Sequence, residues 1–133
     1  MSLFWLLEFV KNRKAELDNL STQDVVNKIV IPETQQKKLR YADTIPDSFV
    51  SAPSYVVSHV WSAPFLDLVE TLDQHFNAKA EATKSIYLWI DIFAINQHSK
   101  DKQSDLKVCN TAIKDSSSGT LVCIDAHGKL MTR

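Results

Sequence analysis

Runs of consecutive apolar residues alternate with helix-spaced ones over the second half of the chain. Tyr55-Val56-Val57-Ser58-His59-Val60 is β-branched and short, which predicts a strand. Phe65, Leu68, Val69, Leu72 and Phe76 follow at helical spacing, with Asp67, Glu70 and Asp73 towards the other side. Ser62 is placed to cap that helix, with Pro64 in its first turn. Residues 77–84 read as a polar link. Ile86 to Ile92 predicts a second strand, and residues 93–103 a long loop leaving it. A further helix is expected over about 104–115, with Leu106, Cys109, Ala112 and Ile113 on its buried side. Ser116 to Gly119 stops it, and Thr120 to Asp125 reads as a third strand.

The first part of the chain carries only helical patterns. Residues 2–18 predict a helix whose front is apolar nearly all round, because Phe4, Trp5 and Phe9 add to the stripe of Leu3, Leu6, Leu7 and Val10. That face must pack on its own domain or on a partner. Ser21 or Thr22 caps a second helix with Asp24 in its first turn and Val25, Val26, Ile29 and Val30 as its apolar side. Pro32 closes it or opens the next. Residues 33–40 predict a short exposed helix. Residues 43–54, with Pro46 and Pro53, have the composition of a connector. The expected organisation is a helical extension over 1–50 and an α/β domain over 51–133.

Strand, helix, strand, helix, strand, with continuously apolar strands, predicts a parallel sheet covered on both faces. Right-handed crossovers and the order 2-1-3 place the helices on opposite faces and open a crevice between strands 1 and 3. The strand exits then share one rim. Strand 1 delivers Ser58, His59 and Trp61, strand 2 delivers Asp91, Asn96 and Gln97, and strand 3 delivers Asp125 and His127. These are the candidate ligand-binding residues. Ser58 and His59 are neighbours on a strand and point to opposite faces, so they cannot form a dyad with each other. His59 with Asp91 or Asp125 can do acid–base work; His59 can equally be a satisfied structural histidine. Asp91 can cap its own loop, Asn96 and Gln97 can pin it, and Trp61 and Trp89 can be packing residues.

Composition narrows the classes. The chain has 133 residues, 44% of them hydrophobic and 23% charged, which suits one globular domain. A net charge of −1 without a basic stripe argues against nucleic acid as a partner. No apolar run is long enough for a membrane span, and the N-terminus lacks a signal-peptide pattern. Only Gly119 and Gly128 occur, so no glycine-rich phosphate loop can be written. Cys109 and Cys123 form no CxxC pair and read as reduced thiols, and no local cluster offers a metal site. A cytoplasmic location is expected.

Two segments carry a family resemblance. Tyr55-Val-Val-Ser-His-Val-Trp61 with Phe65-Leu-Asp-Leu-Val69, followed by Leu88-Trp-Ile-Asp-Ile-Phe-Ala-Ile-Asn-Gln97, resembles the TIR-like superfamily, near its heterokaryon-incompatibility (HET) branch. Ala112-Ile-Lys-Asp-Ser116 before an apolar strand is similar to the TIR helix that ends in a serine turn. The resemblance covers about residues 50–133. It implies a flavodoxin-like fold and a signalling or nucleotide-binding domain, with NAD as candidate substrate. Phe93 to Lys102 would correspond to the loop that mediates TIR assembly and borders the nucleotide pocket, and Ser58, His59 and Trp61 would line that pocket. TIR enzymes that cleave NAD carry a glutamate on the helix after strand 3. No residue before Arg133 matches it, so no catalytic residue is assigned. The chain is expected to be the front part of such a domain, inactive on NAD as it stands. The competing expectation is a non-catalytic module that self-associates through the 93–102 loop and an exposed strand edge of Leu121, Val122, Cys123 and Ile124. A third is a plain doubly wound domain binding another small ligand at the same rim.

Overall fold

The computed structural model describes residues 1–123. Three parallel strands, β1 (Tyr55–Ser58), β2 (Leu88–Trp89) and β3 (Gly119–Val122), form one sheet in the order β2-β1-β3. This is the order expected from the alternation of apolar runs and helices. Tyr55 and Val56 pair with Leu88 and Trp89 on one side, and Tyr55 through Ser58 pair with Gly119 through Val122 on the other.

Side chains alternate across the sheet. Val57 and Leu88 enter the main core, with Tyr55 and Leu121 packed against it. Helix α1 (Leu3–Asn12) and α5 (Phe65–Phe76) contribute the other side of this core. Val56 and Trp89 pack instead with Ala112 and Cys109 of helix α8 (Lys102–Asp115). Helices therefore cover both faces, as continuously apolar parallel strands require. Phe9, Phe65 and Phe93 meet edge to face in the main core, with centroids 5.6 to 6.3 Å apart.

The second apolar run is divided between two elements. Only Leu88 and Trp89 pair as strand, whereas Ile86 to Ile92 was expected. Ile90 is still extended, and Asp91–Ala94 turns at once into the short helix α7. Ile90 and Ile92 are both fully buried, so the apolar run is explained by burial rather than by strand length.

The N-terminal half also departs from the pattern in detail. Helix α1 is capped by Ser2, whose Oγ accepts from the Trp5 N–H at 3.1 Å. The chain kinks at Arg13 before α2 (Lys14–Leu17). Ser21 and Asp24 form a reciprocal capping box on α3 (Thr22–Val25). Pro32 does not stop the helical run; it lies in the first turn of the next helix, as one of the two expected options had it. A wide turn over Val26–Val30 leads directly into α4 (Ile31–Thr34). Such a turn suits a ring that lacks an N–H and crowds the carbonyl four residues back. Residues 35–38 form a turn, closed by Lys38 at φ +51°, where a helix was expected. Two tight 3₁₀ turns, Tyr41–Thr44 and Asp47–Phe49, give the connector regular structure.

Ser62 does not cap α5. The Trp61–Pro64 turn serves another helix instead: Trp61 and Ala63 carbonyls accept from the Gln23 and Thr22 N–H groups at 2.8 and 3.0 Å. In return Phe65 N–H donates to the Leu20 carbonyl at 3.0 Å. The two helix starts thus satisfy each other's exposed amides. The polar link contains a helical turn of its own, α6 (Ala80–Thr83).

The sheet edges are treated unequally. Met1 to Leu3 run antiparallel along the outer edge of β2, with Leu88 N–H donating to Met1 O at 2.8 Å and Leu3 N–H to Ile86 O at 2.7 Å. On β3, Val122 is 51% exposed. Cys123, expected on the bare edge, is buried, and its N–H donates to Ser58 O at 2.9 Å. Ile124 lies outside the described residues.

Candidate functional site

Strands β1 and β2 end side by side, so their exits are brought together by pairing alone. His59 is the first residue after β1, and Asp91 opens α7 one residue beyond Ile90. His59 Nε2 lies 2.9 Å from Asp91 Oδ1, and Trp61 Nε1–H donates to Asp91 Oδ2 at 3.1 Å. A carboxylate only accepts, so the shared proton sits on His59 Nε2. Both side chains are cut off from water, His59 at 0% and Asp91 at 1% exposure. His59 Nδ1 has no hydrogen-bond partner among the described residues. Leaving a buried ring nitrogen unpaired costs about 1–3 kcal/mol, which the charge-assisted bond on the other nitrogen helps to offset.

An Asp–His couple of this kind orients an imidazole. Here the imidazole is sealed, and it is not among the residues that line the neighbouring cavity. The three groups act as a clasp between the ends of β1 and β2.

Asn96 and Gln97 are spent on the backbone. Gln97 Nε2–H donates to the carbonyls of Asp91 and Ile95, each at 3.2 Å, which closes the turn after α7. Asn96 Nδ2–H reaches across to Lys38 O at 2.8 Å, while its Oδ1 accepts from His98 N–H at 2.9 Å. His98 adds a bond that sequence patterns do not signal, Nε2 to Thr34 Oγ1 at 2.7 Å. Thr34 gives its single proton to Val30 O at 2.6 Å, so His98 must be the donor. The loop after β2 is thereby stitched to the α4 end of the N-terminal part.

Ser58 closes β1 on the same sheet face as Val56 and Val122, half-buried. Asp125 and His127 lie outside the described residues. Of the sequence candidates, the structure gathers His59, Trp61 and Asp91 into one cluster. It places Asn96 and Gln97 in a supporting turn.

Beside the cluster is a cavity of about 250 Å³, lined by Trp61, Asp91, Ile95, Gln97, Lys102 and Leu106, with Asp105 and Cys109 further along α8. Of these α8 residues, Leu106 and Cys109 were expected, with Ala112 and Ile113, on the buried side of the helix; Leu106 and Ile113 are instead exposed, because only the Ala112 and Cys109 part of that side reaches the sheet. The α8 lining residues are spaced by three and four, which does place them on one side, but only the position of α8 beside the strand exits turns that side into a wall. Among the described residues no cluster of three or more acidic, histidine or cysteine side chains is arranged to hold a metal ion. None of their helices is long and apolar enough to cross a membrane.

No protein-family model, curated protein or solved structure matches the chain.

Proposed function

We propose that this chain is a TIR-like, flavodoxin-like signalling module that works by associating with copies of itself, and that it does not turn over NAD. The carrying observation is that His59 and Trp61 both spend their ring N–H on Asp91, and that the His59 and Asp91 side chains, the groups best placed to do chemistry on a ligand, are closed to solvent. The adjoining cavity of about 250 Å³ also falls below the range of roughly 300–1,000 Å³ typical of small-molecule sites. Apolar surface is concentrated elsewhere. Leu106, Ile113 and Val122 are 60%, 47% and 51% exposed along α8 and β3. Among the described residues the outer edge of β3 is unpaired, and such an edge beside apolar side chains is a template for pairing.

Light scattering over a concentration series tests this. The mass should rise above the 15.1 kDa of one chain, and Val122→Lys should return it to that value. Charge reversal at Lys100 and Lys102 in the 93–102 loop should also change the association. A monodisperse monomer at high concentration refutes the reading.

The nucleotide-binding reading draws on one observation, that Trp61 and Lys102 bring a ring and a cation to the lining of the same cavity. NAD that binds only the native state would raise the melting temperature. Release of nicotinamide from NAD by this chain would overturn the assignment of an inactive module.

A further inference from the structure

A cavity of about 510 Å³ lies along α1, and it shares no lining residue with the one beside Trp61 and Asp91. Phe4, Trp5 and Phe9 wall it from the helix, and Tyr41 and Phe49 from the two 3₁₀ turns opposite. Trp5 stacks on Phe9 with centroids 5.1 Å apart, and Phe4 on Phe49 at 5.9 Å. This is where the apolar front of the first helix places the rings that exceed a normal stripe.

Two charged residues line the groove, Glu8 and Arg13. Arg13 is neutralised: both terminal guanidinium nitrogens bond Glu33, one of them at 2.8 Å, and Glu16 lies 3.7 Å away. Tyr41 Oη–H donates to the same Glu33 at 2.8 Å. Glu8 is half-buried and has no ion pair among the described residues, so its carboxylate sets the sign of the groove. The rings already attract cations from within the chain. Arg13 Cζ sits 4.9 Å from the Phe9 centroid, and the Lys84 ammonium 5.0 Å from that of Phe4.

We propose that this groove binds a quaternary ammonium head group, seated on the Trp5 ring with Glu8 as its counter-charge. Ring faces attract cations through their quadrupole, and tryptophan does so best. A quaternary ammonium carries no N–H for water to hold, so it leaves solvent more readily than a compact primary ammonium. A neutral molecule of the same shape would gain nothing from Glu8.

The test titrates tetramethylammonium chloride into the full chain at constant ionic strength. The Trp5 indole N–H resonance, assigned from a Trp5→Phe variant, is the reporter. A saturable shift is expected with the cation and none with 3,3-dimethylbutanol, a neutral isostere of choline. Glu8→Gln, a substitution at a half-buried position that keeps the side-chain volume, should weaken binding on the order of tenfold. Choline and a trimethyllysine peptide, run as separate arms, assign the source by which binds more tightly. An equal response to the neutral isostere, an unchanged affinity in Glu8→Gln, or no saturable shift overturns the proposal.

Discussion

Replacing Asp91 by alanine should be among the most damaging single changes in this chain. The carboxylate accepts from His59 at 2.9 Å and from Trp61 at 3.1 Å, at 1% exposure. Without it, two N–H donors lose their acceptor, and His59, at 0% exposure, would have both ring nitrogens unpaired among the described residues. Breaking a buried pair by removing one partner costs about 3–5 kcal/mol. A domain of this size is stable by roughly 5–15 kcal/mol, so the variant should still fold but with little reserve. The melting temperature should fall by about 10–20 °C, at roughly 4 °C per kcal/mol. Urea unfolding at neutral pH measures the change directly, with an unaltered m-value as the check that the unfolded state is the same. His59→Phe and the double variant complete a cycle, which should return a coupling of more than about 1 kcal/mol. A cost for Asp91→Ala below about 1 kcal/mol, or additive single changes, would refute the claim that this clasp holds the ends of β1 and β2 together.

Two smaller perturbations test other joints. Ser21→Ala removes the oxygen that accepts from Asp24 N–H at 3.1 Å and should lower stability by about 1 kcal/mol in the same urea assay. Glu33 should make stability fall in acid. Burial works to raise its pKa, but hydrogen bonds from Arg13 and Tyr41 outweigh it and leave the value lowered from 4.5. A carboxyl with a lowered folded-state pKa binds its proton more readily when unfolded, so its contribution is complete above about pH 4.5 and is lost as pH drops through the folded value. Melting temperature against pH should therefore decline less steeply below pH 4.5 in Glu33→Gln than in the parent chain.

The strand order was legible because it rests on two robust signals, uninterrupted apolar runs and helical crossovers between them. Amphipathic spacing located the end of α5 at Phe76, but the expected Ser62 cap placed its start two residues too early. Strand lengths were not legible. Ile90 and Ile92 look like strand residues because burial selects the same side chains in an extended segment and in a short helix. The meeting of His59 with Asp91 was one of two pairings the sequence left open, and it depends on α7 starting at Asp91; Asp125 lies outside the described residues. The bonds from Asn96 to Lys38 and from His98 to Thr34 join residues 58 and 64 positions apart. No local pattern marks such a partner. The wide turn before Pro32 was hidden for a different reason: a proline in a helical pattern normally reads as a stop, and an extra residue in the preceding turn removes the clash.

The pairing of Met1 to Leu3 with residues 86 to 88 has a consequence for the order of events in folding. A chain leaving the ribosome presents these first residues long before their partners exist. Helix α1 can coil early, but the strip ahead of it has to wait for most of the polypeptide to appear. Closing so wide a loop is slow compared with local helix formation. Until it closes, β2 is an open border of two residues, and the newborn protein has two vulnerable flanks where, among the described residues, the folded one leaves only that of β3 uncovered.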